Sequence, residues 1–100
     1  MSRYEGSRTK AGAIVTVDGE LLDLRLDLHK HSPTGFDWGY CGSGPAQLAL
    51  AVMAHHLGDD TQALNLHQRF KWAVVAGLPR KRWALTSEQI QNALQSLQSS

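Results

Sequence analysis

Groups able to do chemistry are few in this chain, and most of them gather near its middle. His29, His31, His55, His56 and His67 are potential metal ligands or proton carriers, and Cys41 is the single thiol. On an extended segment His29-x-His31 turns two imidazoles to one side, with Cys41 as a candidate third ligand. No C-x-x-C or H-E-x-x-H spacing accompanies them. His55 and His56 lie about 100° apart on a helix and do not share a site. Capping, hydrogen bonding and exposure account for the histidines, with no metal site. Cys41 would be a nucleophile only if a cation or helix start lowered its pKa; it reads as a small, half-buried apolar residue. Ser43 stands outside a G-x-S-x-G elbow because position 41 is Cys. Gly39-x-x-Gly42-x-Gly44 opens a helix at Pro45, where free amides would cradle an anion. No Lys-Ser/Thr pair follows, and the spacing is not that of a dinucleotide site, so a tight turn with a helix cap is the simpler reading. These residues imply no catalytic set, no metal and no cofactor, and a non-enzyme is expected.

Surface recognition is the remaining chemistry. Phe36, Trp38 and Tyr40 alternate just before the glycines, and aromatics at every second position lie on one side of an extended segment. Arg80-Lys81-Arg82-Trp83 is the one basic run; arginines beside an indole grip phosphates, stack on bases or anchor a protein. The expected contact residues are Trp38, Tyr40, Arg80, Lys81, Arg82 and Trp83. The competing expectation is that Trp83 folds inward onto a sheet and that the 36–45 loop is a structural plug.

The elements that must position these groups follow from periodicity. Ala13–Val17 is a short β-branched run, and Asp18-Gly19 after it is a strong hairpin signal, since both turn residues need positive φ. Tightening the turn to two residues pairs Val15 with Leu22 and Val17 with Glu20. The return strand is expected over Glu20–Leu28, with Leu22, Leu24, Leu26 and Leu28 on one face and Asp23, Arg25 and Asp27 on the other. A short strand at Arg3–Tyr4 and an extended Arg80–Leu85 join the sheet. Ser43 or Gly44 caps a helix with Pro45 in its first position. Ala46–Leu57 is apolar nearly all round, which marks the buried central helix, and Gly58 ends it. Asp59 or Asp60 caps a second helix with Ala63, Leu66, Phe70 and Ala73 or Val74 inward, stopped at Gly77-Leu78-Pro79. Thr86 with Gln89 forms a capping box for a last helix striped by Ile90, Ala93, Leu94 and Leu97. The expected fold is α+β: a small antiparallel sheet, hairpin 13–28 plus short strands, its leucine face laid on three helices.

At 100 residues and 42% apolar the chain is expected to be one domain (1–100) with one modest core. A lone cysteine and an amino-terminal segment without an apolar stretch imply the cytoplasm, and no run is apolar enough to span a membrane. Net charge is +1, but residues 1–60 carry −3 and residues 61–100 carry +4. That asymmetry steers a partner with a bipolar surface, while three clustered cations fall short of a DNA-binding footprint.

One resemblance covers nearly the whole chain. Tyr4-Glu5-Gly6, Ser32-Pro33-x-Gly35-Phe36-x-Trp38-Gly39-Tyr40, Gly42-Ser43-Gly44-Pro45-Ala46-Gln47-Leu48-Ala49-Leu50-Ala51, Phe70-Lys71 and Trp83-x-Leu85-Thr86 resemble the DUF6166 family of bacterial proteins of unknown function. Cys41 falls where the family tolerates a small residue, which argues against a catalytic thiol. The resemblance implies an identity without a mechanism. Members look like small stand-alone proteins of proteobacteria, their phages and mobile elements. That setting implies proteins that bind and inhibit other macromolecules, the anti-CRISPR type included. The resulting expectation is a protein partner, such as a CRISPR-effector subunit, occluded by surface fit. The alternatives are a nucleic-acid-binding module using Arg80–Trp83, or a small hydrolase or transferase with an anion site at Gly42–Pro45.

Overall fold

The computed structural model describes residues 2–99. Its sheet has four antiparallel strands: β1 (Arg3–Thr9), β2 (Gly12–Val17), β3 (Glu20–Leu21) and β4 (Arg82–Thr86), in spatial order β3-β2-β1-β4. Three helices accompany it: α1 (Ser43–Leu57), α2 (Asp60–Ala73) and α3 (Ser87–Ser99), with one 3₁₀ turn at Val75–Gly77. The α+β class is as the periodicity implies.

The Asp18-Gly19 turn forms as expected, with φ of 52° and 86°. Val17 pairs with Glu20, and Leu22 N–H donates to Val15 C=O at 3.0 Å. The return strand, however, ends at Leu21 rather than Leu28. Asp23 Oδ1 accepts from Arg25 N–H at 2.8 Å, and Arg25 takes a left-handed φ of 53°. This side-chain turn competes with the strand ladder and breaks the alternation. The leucine face is corrected accordingly: Leu22 is buried, Leu24 and Leu28 are half-buried, and Leu26 is exposed.

In its place, Tyr4, Gly6, Val15, Val17, Trp83 and Leu85 form the face turned to the helices, by alternation along β1, β2 and β4. The strand expected at Arg3–Tyr4 is the central strand of the sheet and runs to Thr9. Gly6 is what lets β1 and β4 carry Trp83 on this face. A Cβ there would clash with the indole at its Nε1.

Residues 44–54 of α1 are all buried, so it is the central helix its composition implies. It starts two residues earlier than expected, with Gly42 as N-cap and Pro45 in the third position, and Gly58 closes it with φ of 64°. Asp59 caps α2 by accepting from Gln62 N–H at 3.1 Å. The inner face of α2 is Ala63, His67 and Phe70, with Leu66 and Val74 half-buried and Ala73 exposed. Thr86 and Gln89 make the reciprocal capping box at 2.9 and 3.2 Å, and Ile90 and Leu94 join the core.

Candidate functional site

The 21 residues from Leu22 to Gly42 contain neither helix nor strand, so their backbone polar groups must find partners elsewhere. Gln47, fully buried on α1, supplies them. Its Oε1 accepts from His31 N–H at 2.8 Å and Ser32 N–H at 2.9 Å. Its Nε2 donates to Leu24 C=O at 2.6 Å and His29 C=O at 3.1 Å. One amide thus uses both ends to hold the loop. Arg25 reaches Asp27 and then Asp60 of α2 at 3.1 Å, which raises its pKa.

Three of the five histidines meet here. His31 Nε2 lies 2.9 Å from His67 Nε2, and the His29 ring stacks on His31 at 4.1 Å. His67 Nδ1 sits 2.8 Å from Leu64 C=O. A carbonyl only accepts, so Nδ1 carries the proton, Nε2 offers its lone pair, and His31 Nε2–H donates to it. Burial, then the nearby His29 and Lys71, hold both rings below the ordinary histidine pKa; for His67 the Leu64 and Ala63 carbonyls partly oppose this. His31 pairs with His67, and Cys41, expected to be half-buried, is exposed. Among the described residues, no group of three or more His, Cys, Asp or Glu side chains is arranged to hold a metal ion.

The aromatic segment divides in two. Trp38 is 0% exposed, and its Nε1 donates to Arg80 C=O at 3.0 Å. Trp83 is 5% exposed and meets Trp38 edge-on, centroids 5.7 Å apart. Both tryptophans were expected contact residues, and this is corrected in favour of the competing expectation: each indole is in the core. Trp38 closes the loop against the sheet, and inward-facing Trp83 packs over Gly6, its buried Nε1 without a hydrogen-bond partner. Tyr40 is the exception at 43% exposed. Its hydroxyl donates to Asp37 Oδ2 at 2.9 Å, which raises the Tyr40 pKa, with partial burial adding to the effect.

Asp37 is the hub of this end of the molecule. Burial alone would raise its pKa, yet Arg8, the Trp38 N–H and the Tyr40 hydroxyl together hold it below the usual carboxylate range. The Arg8 guanidinium also stacks on Trp38 at 4.7 Å. A Cβ on Gly44 would approach Asp37 Cβ to 2.6 Å, so glycine there admits this carboxylate to the start of α1. Asp37 thus packs beside the first turn of α1, which has no side-chain cap, while its carboxylate bonds to Arg8, the Trp38 N–H and the Tyr40 hydroxyl.

Beside this hub the basic run makes a cationic shelf. Arg80 lies over the Tyr40 ring at 5.5 Å and donates from Nη1 to Trp38 C=O at 3.1 Å, so its position is fixed. Lys81 and Arg82 are exposed, and among the described residues neither makes an ion pair or a side-chain hydrogen bond. With Ser7 and Arg8 they line an open hollow of about 630 Å³. The structure thus brings Tyr40, Arg80, Lys81 and Arg82 to one side, and supplies Arg8 and Ser7, which the sequence did not single out.

Trp72 was also passed over, although it is 67% exposed with Lys71 Nζ 5.3 Å from its ring. The signal was available: an inward stripe through Ala63, Leu66 and Phe70 turns position 72 to solvent. Elsewhere, the Tyr4 hydroxyl shares a hydrogen bond of 2.6 Å with His55 Nδ1, and burial, helped by Asp18, pushes its pKa up to about 12. No described helix is long and apolar enough to cross a membrane.

Among known protein families, DUF6166, a family of unknown function, matches residues 4–96. No curated protein and no solved structure is significantly similar to the chain.

Proposed function

The chain belongs to the DUF6166 family, whose function is unknown, and from that premise we propose that it is a non-enzymatic macromolecule-binding protein acting by occluding a protein partner. The observation that carries this reading is the shelf of Tyr40, Arg80, Lys81 and Arg82. Two of its cations have no internal counter-charge, while Arg80 and Tyr40 are pinned by Trp38 and Asp37. Interfaces draw their energy from such ordered arginine and tyrosine side chains, which lose little entropy on docking. An acidic surface on the partner is the matching chemistry.

The sharper form of the proposal is an inhibitor of host defence of the anti-CRISPR type, with a CRISPR-effector subunit as partner. Its support is the setting its resemblance implies. The nucleic-acid alternative would need a base-stacking platform beside its cations, and Trp83, the residue suited to that role, is in the core.

The test is capture on the immobilised protein from bacterial lysate containing a CRISPR effector, read by mass spectrometry. One dominant effector subunit is expected, lost in a Lys81→Glu/Arg82→Glu variant that keeps its melting temperature. Recovery of chaperones alone, or capture indifferent to the charge reversal, overturns the reading.

A further inference from the structure

We propose, resting on the partner-binding reading above, that the outer edge of β4 is a strand-addition site for an acidic, extended segment of the partner protein. The register between β1 and β4 decides which backbone groups are free. Arg8 N–H donates to Lys81 C=O at 3.2 Å, and Ser87 N–H donates to Ser2 C=O at 2.9 Å. In an antiparallel ladder, hydrogen-bonded pairs alternate with non-bonded ones. Tyr4↔Leu85 and Gly6↔Trp83 share the bonded parity. Arg82, Ala84 and Thr86, opposite Ser7, Glu5 and Arg3, therefore turn their N–H and C=O groups away from β1.

No strand lies beyond β4 in the sheet. Thr86 N–H is consumed by Gln89 Oε1 in the capping box. Arg82 and Ala84 are exposed and keep donor and acceptor alike, whereas Thr86, the N-cap of α3, gives its C=O to the first turn of that helix. This is the alternating row that an extended peptide completes. The opposite edge offers little, because β3 has only two residues.

Charge selects the occupant. Arg80, Lys81 and Arg82 run into and along this edge, and the hollow beside it is lined by Ser7, Arg8, Lys81 and Arg82 with no carboxylate. Glu5, the nearest acid on the outer sheet face, is engaged by Arg3 at 3.5 Å. Cations on an edge strand discourage pairing with like-charged strands. A second copy would bring its own Arg80, Lys81 and Arg82 to the same place, whereas a glutamate-bearing strand pairs its backbone and neutralises the shelf together.

The test uses the full chain and a synthetic peptide of about eight alternating Glu and Val residues, blocked at both ends, a length suited to one added strand. Titration followed by amide hydrogen exchange is expected to slow exchange at Arg82 and Ala84 by about tenfold or more, with binding that weakens as salt rises. Ala84→Pro removes an N–H that β1 does not use, and is expected to weaken binding by about tenfold. The same peptide N-methylated at every residue has no N–H to donate and cannot pair, and is expected to lose binding to the unaltered protein; this arm does not depend on how the proline variant folds. Equal binding of plain and N-methylated peptides, with Arg82 and Ala84 unprotected, overturns strand addition but leaves the cationic shelf as a side-chain docking surface. Absence of binding by the Glu-Val peptide overturns the inference. The partner-binding reading falls with it only if lysate capture is also insensitive to Lys81→Glu/Arg82→Glu.

Discussion

The loop over residues 22–42 and the outer edge of β4 both lie outside regular pairing, and the chain treats them in opposite ways. In the loop, the exposed-looking sequence is fastened at every turn: four backbone groups to Gln47, His31 to His67, Trp38 to Arg80. Along β4, donors and acceptors at Arg82 and Ala84 are left open and flanked by cations without counter-charges. An irregular segment can therefore be the tightest part of a fold, while a regular strand holds its unspent recognition capacity. If this division is right, changes in the loop cost stability and changes on the shelf cost binding.

The largest effect is expected from Trp38→Ala. Emptying that buried site costs about 3–5 kcal/mol in chemical denaturation, enough to unfold a marginal domain. A loss under about 1 kcal/mol would return Trp38 to the surface and break the comparison at its strong end. Next is Gln47→Leu, which fills the same space but strands two N–H and two C=O groups. It is expected to cost about 3 kcal/mol and to release hydrogen-exchange protection at His31 and Ser32. Gly6→Ala follows at about 1–3 kcal/mol, because the new methyl overlaps the Trp83 indole and overpacks the face between the sheet and α1.

A pH titration sharpens the loop side. His31 and His67 have folded pKa values below the ordinary value, so the unfolded chain binds more protons than the native one as pH falls through that value. Their contribution is fully present above about pH 6.5 and is lost on acidification, so the melting temperature should fall between about pH 7.5 and about pH 5. His67→Gln should flatten that slope; an unchanged slope removes the histidine pair from the account. The smallest stability effect belongs to Lys81→Glu/Arg82→Glu, within about 0.5 kcal/mol of the parent because neither side chain has an internal partner. A destabilisation as large as that of Gln47→Leu would erase the distinction between the two regions.

What could be read from residues alone was whatever is decided within a few positions. The Asp18-Gly19 turn, Gly58, the Asp59–Gln62 cap and the Thr86–Gln89 box all depend on near neighbours, and all form. The central strand was underread because only Tyr4 and Gly6 mark its inner face, and Gly6 makes sense only opposite Trp83, some 77 positions away. The return strand was overread for the converse reason. Its leucines alternate faithfully, yet Asp23 bonding to Arg25 N–H ends the ladder through a contact that hydrophobic periodicity does not register. At the candidate site, the basic run and Tyr40 were legible as charge and aromaticity. Burial of Trp38 and Trp83 stood only as the competing expectation, because an indole beside arginines has the same composition whether it faces water or a neighbouring strand.

The placement of β1 between β2 and β4 also dictates when this molecule becomes whole. The strand nearest the amino terminus is flanked on one side by its neighbour in sequence and on the other by residues 82–86. A nascent chain can make the β1–β2 hairpin early, but must wait until residues 82–86 have left the ribosome before that strand gains its second neighbour. Closure is thus a late, long-range event, and a chain shortened before residue 86 has a central strand with one side unmatched.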